Sequence, residues 1–329
     1  MWSAFLLYNR VDLLQAGTPQ ALLRSSSRFT AATFIFHTTT RHPGNADVPL
    51  TKDQMTPQTE THSGFQLPPR GAKPRRRGIT SMIDFGPDGF GWTGGARGIS
   101  DLLDVAADYI DYAKIYAMNA LLIPEATVRH TTRLYLDAGV VPFAGGILFE
   151  YAWMRNQLAD MISLLKRLGI PGIEISENYV TLDENERHRA IEQLQKADLR
   201  VVYEFGRKNP DQPMSLACLG EIVSAVAQHG IRHVTVEQCE IDLLARDTPD
   251  ALLSLAAQPW FDHVIIEVDP YRFPEQHVNI LRDFGPEVNL ANVTPGQILR
   301  LEGFRRGIGR AVNYSLLSGD ASRPAGISR

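Results

Sequence analysis

The feature that most constrains this chain is a repeat of pattern rather than of residues. From residue 78 onward, short β-branched or aliphatic runs recur at 79–84, 109–116, 140–144, 172–176, 200–205, 232–237, 263–267 and 287–292. Each run precedes a stretch with helical spacing. In "DMISLLKRLGI", Met161, Ile162, Leu164, Leu165 and Leu168 share one face, and Gly169 is placed to end the helix. In "DENERHRAIEQLQKADL", Ile191 and Leu194 face inward while Glu184, Glu186 and Lys196 stay wet. Asp183, with Glu186 three residues on, has the spacing of a capping box. Eight strand–helix units in about 240 residues are what a closed (β/α)8 TIM barrel requires. The alternative, an open doubly wound sheet, ordinarily has fewer strands. The strands run apolar rather than alternating, as strands buried on both faces do.

Composition narrows the function classes. The 329 residues are 44% hydrophobic and 21% charged, ordinary for a soluble globular chain. A formal net charge of −4 argues against binding nucleic acid or an anionic membrane. No apolar run approaches the roughly 18 residues of a membrane span. Cys218 and Cys239 lie far apart with no CxxC, which reads as free thiols in a reducing, cytoplasmic compartment. Residues 1–76 lack periodic hydrophobicity and are rich in Ser, Thr, Pro and Arg. They are expected to be a largely disordered N-terminal tail, or an upstream extension with the true start at Met55. An organellar transit peptide stays open as a third reading. The barrel is then expected over 77–312, with a flexible C-terminal tail at 313–329. The run "KPRRRG", Lys73 to Gly78, is expected to be solvated where the linker ends.

Four successive strands end in glutamate: "GIEIS" (Glu174), "VYEFG" (Glu204), "VTVEQ" (Glu237) and "VIIEV" (Glu267). They lie about 30 residues apart, the length of one βα unit, so their side chains converge on the carboxyl face where barrels place active sites. Strand 1 ends in Asp84, strand 2 carries Lys114 near its end, and strand 5 adds Arg207 and Lys208. Carboxylates crowded at one mouth need cations, either from the protein or as a divalent metal such as Mg2+. The two readings are therefore a structural salt-bridge network, or a metal with an anionic substrate.

Other motifs carry less. Gly89, Gly91 and Gly94 fit G-x-G-x-x-G, with Asp111 about 17 residues beyond, the dinucleotide fingerprint. The loop is too long after Ile83–Asp84 for the tight turn that fingerprint needs. A mobile loop is expected instead, offering backbone N–H groups and Arg97 to an anion. His233 and His263 precede strands 6 and 7, at the end opposite the carboxylates. His130, His188 and His229 fall in helical stretches without ligand spacing. Asn289 and Asn292 on strand 8, followed by a helix start after Pro295, either bind phosphate or merely cap the barrel rim.

The segments "RGIT", "DYIDYAK", "GGILFEYA", "LGIPGIEIS", "EFGRKNPD", "FGPEVNLANV" and "LEGFRRG", in this order over roughly 77–310, resemble the phosphosulfolactate synthase family. These are barrel enzymes that join sulfite to phosphoenolpyruvate in coenzyme M biosynthesis. The resemblance implies a Mg2+-dependent carbon–sulfur lyase, homo-oligomeric, acting on small anions. Glu174, Glu204 and Glu237 are then the expected metal ligands. Lys208, the second cation of the "GRK" that matches the family's Gly-Lys-Lys, is the expected general acid. Lys114 and Arg207 would steady anionic oxygens, and Asp84, Asn289, Asn292 and Arg97 would bind substrate.

The chain also departs from that family. A lysine is expected after the strand-1 aspartate, where Phe85 stands, and an arginine two residues after the strand-6 glutamate, where Cys239 stands. A basic residue after strand 7 is replaced in "DPYRFPE" at Tyr271 unless Arg272 substitutes, and "KIYAMNA" replaces a "KFGWGTS"-like loop. A charge-assisted hydrogen bond contributes roughly 1.5–3 kcal/mol, so losing two or three weakens dianion binding a hundredfold or more. "AKPRRRGIT" is similar to a plant heat-stress-associated branch of the same family. Two further expectations follow, a non-catalytic stress-associated barrel protein and, from the glycines, a nicotinamide-dependent oxidoreductase.

Overall fold

Each of the eight apolar runs forms a parallel strand: β1 (Thr80–Asp84), β2 (Tyr112–Ile115), β3 (Val141–Ala144), β4 (Gly172–Ile175), β5 (Arg200–Phe205), β6 (Val234–Val236), β7 (Val264–Glu267) and β8 (Leu290–Val293). They pair in sequence order, and β8 returns to β1 through Thr80↔Leu290 and Met82↔Val293, so the sheet is a closed barrel rather than an open one. The structure, a computed structural model, describes residues 65–86 and 95–318. Residues 1–64 of the tail expected over 1–76, the glycines at 89, 91 and 94, and residues 319–329 of the tail expected over 313–329 lie outside the described residues.

Local chemistry sets the element ends. The helix Leu158–Leu168 stops where Gly169 takes a left-handed φ of 73°. The helix Glu184–Lys196 begins with the expected reciprocal cap: Glu186 N–H donates to Asp183 Oδ1 at 2.8 Å and Asp183 N–H to Glu186 Oε2 at 3.0 Å. β2 is shorter than the run at 109–116 because Ala107–Tyr109 coils into a 3-10 turn first. β8 starts at residue 290, after Gly285 turns the chain with a φ of 87°. Met82, Ala113, Ile173, Val234, Ile266 and Leu290 carry the strands into one buried core shared with the helices, including Leu165, Leu168, Ile191 and Leu194. None of the described helices is long and apolar enough to cross a membrane.

Two readings of the chain's flanks change. The segment before β1 is solvated only in part: Arg76 and Arg77 are exposed, as expected of the run, but two other arginines are not. Arg70, its side chain 5% exposed, pairs with Glu287 and Glu302 at 3.0 Å each, and Arg75, also 5% exposed, pairs with Asp111 at 3.0 Å. Asp111 accepts in addition from Thr80 N–H at 2.9 Å, so it staples the N-terminal ends of β1 and β2 and stands far from any ribose-binding role. At the other flank, 3-10 turns continue through Arg310–Val312 and Ser315–Ser318, with Val312 and Ser315 buried.

Asn289 also differs from its expected place. Its Oδ1 accepts from Ile79 N–H at 3.0 Å, and its Nδ2 donates to the carbonyls of Asp262 at 3.2 Å and Val264 at 2.9 Å. All three partners stand at the starts of β1 and β7, so Asn289 closes the N-terminal end of the barrel and takes no part at the carboxyl rim. Breaking a buried ion pair strands its partner charge, at a cost of about 3–5 kcal/mol, whereas an exposed pair is worth about 0–1 kcal/mol. Arg70→Ala is accordingly expected to lower the unfolding free energy by that larger amount in urea. Arg77→Ala, which breaks a pair with Asp262 at 60% and 50% side-chain exposure, is expected to leave it nearly unchanged.

Candidate active site

The period-two pleat sends Lys114, Glu174, Glu204 and Glu267 into the barrel from β2, β4, β5 and β7. Lys114 Nζ lies 2.9 Å from Glu174 Oε1, 3.0 Å from Glu204 Oε2 and 2.9 Å from Glu267 Oε1. Glu174 is 2% exposed, and Glu204 and Glu267 are 1%. The ammonium has three N–H donors, and three carboxylates face them. Lys114 therefore neutralises glutamates and has no donor left for a substrate oxygen, which differs from its expected role.

A second cation stands at the rim. Lys208 Nζ donates to Glu237 Oε2, with the lysine side chain 36% exposed and the glutamate 3%. Gly206 makes room for this pair. Its φ is 114°, and a Cβ there would stand 2.5 Å from Glu240 Cγ and 3.0 Å from Glu237 Cβ. This is why the strand carrying Glu204 ends in glycine before its two cations. Arg207 is exposed, its backbone N–H donating to Glu240 Oε1 at 3.0 Å and its guanidinium to Thr181 Oγ1 at 2.6 Å.

One oxygen from each of Glu204, Glu237 and Glu267 lies within 4.8 Å of the others. Glu267 Oε2 is buried with no hydrogen-bond partner. Three carboxylates offering hard oxygen donors, one of which carries an orphaned oxygen, make a set into which a divalent cation fits. The trio differs from the expected one in a single member. Glu174 Oε1 is taken by Lys114 and by Gly146 N–H at 3.0 Å, and Glu267 stands in its place. The fourth strand-end glutamate was the available signal for Glu267, since it repeats the spacing of the other three.

Burial and mutual repulsion separate these carboxyls. Burial, reinforced by Glu204, pushes Glu174 up to about 7. Burial and the neighbouring glutamates push Glu267 well above the usual range. Glu204 goes the other way: burial opposes its charge, but Lys114, Lys208 and the Asn178 amide prevail and hold it at about 2. Burial likewise opposes the charge on both lysines, and the surrounding glutamates outweigh it, so Lys114 and Lys208 stay protonated.

Several supports had no sequence signal beyond their residue type. Asn178 Nδ2 donates to Glu204 Oε1 at 2.7 Å. Glu150, buried on the helix Gly146–Met154, accepts from Ser176 Oγ and from the N–H groups of Asn178 (3.0 Å), Tyr179 (2.8 Å) and Val180 (3.1 Å), folding the loop after β4 over the site. Tyr135 donates its hydroxyl to Asp84 Oδ2 at 2.8 Å, and Gly86 N–H donates to Asp84 Oδ1 at 2.9 Å, so Asp84 organises the end of β1.

The remaining expected residues scatter. Asn292 takes a left-handed φ of 60° at the β8 bulge, and its Oδ1 is buried without a partner. Arg97 is exposed on the helix Gly95–Ala106. Arg272 pairs with Asp242 at 2.7 Å. The Cys239 thiol lies near Glu237, and the Phe85 ring lies 4.7 Å from that of Tyr116. After Pro295, Thr294 N–H donates to Gln297 Oε1 at 3.2 Å, so that helix start caps itself.

The profile of the (2R)-phospho-3-sulfolactate synthase (ComA) family matches residues 68–310. A phosphosulfolactate synthase of Methanothermobacter thermautotrophicus is 30% identical over 253 residues, covering 74% of this chain and 94% of that protein. One of Methanocaldococcus jannaschii is 29% identical over 243 residues, covering 71% of this chain and 92% of that protein.

The site makes stability depend on pH. In the folded state Glu174 keeps its proton up to about pH 7, while unfolded it ionises near 4.5, so stability falls as pH rises through that window. Glu204, held near 2, contributes stability that is intact above 4.5 and lost as pH falls toward 2. In chelator-treated protein the melting temperature is expected to drop between about pH 4.5 and 7. Glu174→Gln, which cannot ionise, is expected to flatten that drop; an unchanged slope contradicts the assignment.

Proposed function

The chain belongs to the phosphosulfolactate synthase family, and on that premise we propose that it is a Mg2+-dependent lyase joining sulfite, or a closely related nucleophile, to phosphoenolpyruvate. The observation that carries this reading is the juxtaposition of three buried carboxylate oxygens within 4.8 Å with an ammonium group, Lys208, only partly withdrawn from solvent. Glu204, Glu237 and Glu267 are the residues that would hold the cation. When bound, Mg2+ supplies positive charge for a substrate carboxylate and offsets the glutamate field around Lys208.

The addition requires a carbon–sulfur bond to form at the CH2 carbon while the π pair moves toward the carboxylate. The carbon bearing phosphate then accepts a proton. Lys208 suits that transfer because one hydrogen bond, to Glu237, orients its ammonium and its side chain remains partly open to the mouth. The proton that returns to Lys208 comes from bisulfite, so the sum is phosphoenolpyruvate plus bisulfite giving phosphosulfolactate. Arg207, exposed at the rim beside Thr181, is the cation offered to the phosphate or sulfonate. Lys114 keeps Glu204 ionised and in place, a positioning task.

The altered positions bear on affinity rather than on the chemical step. Phe85 and Cys239 bring no cation, and Arg272 is engaged by Asp242. A higher KM for the anionic pair than a fully basic rim would give is therefore part of the proposal. Full-length protein incubated with phosphoenolpyruvate, sulfite and Mg2+ is expected to form phosphosulfolactate, detected by mass spectrometry. Lys208→Ala is expected to lower kcat by about 10²–10⁴-fold with an unchanged circular dichroism spectrum. Absence of product from well-folded protein, with Mg2+ present, sinks the reading. Separately, Glu237→Gln is expected to raise the Mg2+ concentration needed for half-maximal rate; an unaltered requirement removes Glu237 from the ligand set.

A further inference from the structure

The amino-terminal end of the same barrel holds a different set of groups. A cavity of about 340 Å3 opens there, around the starts of β5 and β6. Tyr112, Phe143, Val202 and Ile265 line it from inside the barrel, and Arg200 and Arg232 line it from the protein surface. Tyr112, Val202 and Ile265 precede Lys114, Glu204 and Glu267 by two residues each, so this cavity lies one side-chain layer beneath the carboxylates. Barrel interiors are ordinarily filled by such layers. A void of this size in the lower layer is a departure, and it falls within the range of about 300–1,000 Å3 typical of small-molecule sites.

Its charge is one-sided. No carboxylate lines the cavity, and neither Arg200 nor Arg232 has an acidic partner among the described residues. Asp111 and Asp262, acids at this end, are already engaged by Arg75 and Arg77. His233, the other basic residue of the lining, is driven by burial down to about 4 and is neutral at physiological pH. The Arg200 guanidinium stands by the Tyr112 hydroxyl, a group that can both donate and accept.

We propose that this amino-terminal mouth is a second binding site, for a small organic anion with an apolar body. Its phosphate or carboxylate meets Arg200, Arg232 and the Tyr112 hydroxyl, and its body lies against Phe143, Val202 and Ile265. The argument is independent of the lyase reading, because none of these residues belongs to the carboxyl-end site. Planar guanidiniums suit both head groups, and the surrounding aliphatic and aromatic walls reward a compact hydrophobic group.

Phenyl phosphate and benzoate separate the two head groups, and each is titrated against full-length protein by calorimetry in the absence of Mg2+. Saturable binding of at least one probe is expected, weakened at least tenfold in the double variant Arg200→Gln/Arg232→Gln. Both arginines are exposed, so the fold is expected to persist, checked by an unchanged melting temperature. A Lys208→Ala variant is expected to bind the probe as the parent does. Lack of saturable binding by either probe overturns the proposal. So does binding that survives loss of both arginines, or binding that disappears with Lys208, which would assign the anion to the opposite mouth.

Discussion

An ammonium ion surrounded by three carboxylates in the middle of a closed sheet is the constraint around which the carboxyl half of this barrel is arranged. Lys114 reaches Glu174, Glu204 and Glu267 from a strand that neighbours none of theirs, so the charges bridge the lumen instead of running along one pair of strands. Removing such ions from water costs several kcal/mol each, and the attraction between them offsets that cost only when geometry is good and the remaining oxygens are satisfied. Here Glu204 is satisfied on both oxygens, by Lys114 and Asn178, while Glu267 keeps one buried oxygen without a partner. The cluster is thus saturated on one side and deficient on the other. A buried polar atom left without a partner calls for an explanation, and a ligand that completes its coordination is one.

The loops around the cluster follow from the same need. Glu150 spends its carboxylate on four donors from the segment 176–180, which brings Asn178 to Glu204. The helix carrying Glu150 can approach so closely because Gly146 has no side chain, for a Cβ there would collide with Ser176, and its N–H is free to reach Glu174. Gly206 performs a parallel service for Glu237 and Glu240 on the other side of the mouth. Backbone and carboxylates are interlocked, and uncharged neighbours, Gly146, Asn178 and Gly206, share with Lys114 and Lys208 the task of placing the glutamates.

The two ends of the barrel divide the ionic residues by sign and by use. At the amino-terminal end most acids are already paired: Asp111 with Arg75, Glu287 and Glu302 with Arg70. That leaves Arg200 and Arg232 as uncompensated cations there, while the carboxyl end keeps an excess of carboxylate. An overall net charge of −4 conceals this polarity.

Much of the architecture was legible in the residues themselves. Strand and helix periods, the stop at Gly169 and the cap at Asp183 are local, decided by the backbone preferences of a few consecutive residues, and the structure reproduces them. The convergence of four strand-end glutamates was legible too, because a parallel barrel turns a repeat in sequence into a ring in space. Which glutamates face one another was not. Glu174 and Glu267 occupy equivalent sequence contexts and both meet Lys114, but Gly146 N–H also holds Glu174, whereas Glu267 comes together with Glu204 and Glu237. Asn289 and Asn292 are three residues apart, yet the first closes the amino-terminal end and the second sits at a bulge near the other. Arg75 read as solvated, and Arg70 as part of a disordered tail, because their partners, at positions 111, 287 and 302, are distant along the chain. Local sequence determines element type because helix and strand formation depend on near neighbours. Charge pairing inside a closed barrel depends on residues that only chain closure brings within 3 Å or so of one another, and so it belonged to the tertiary structure.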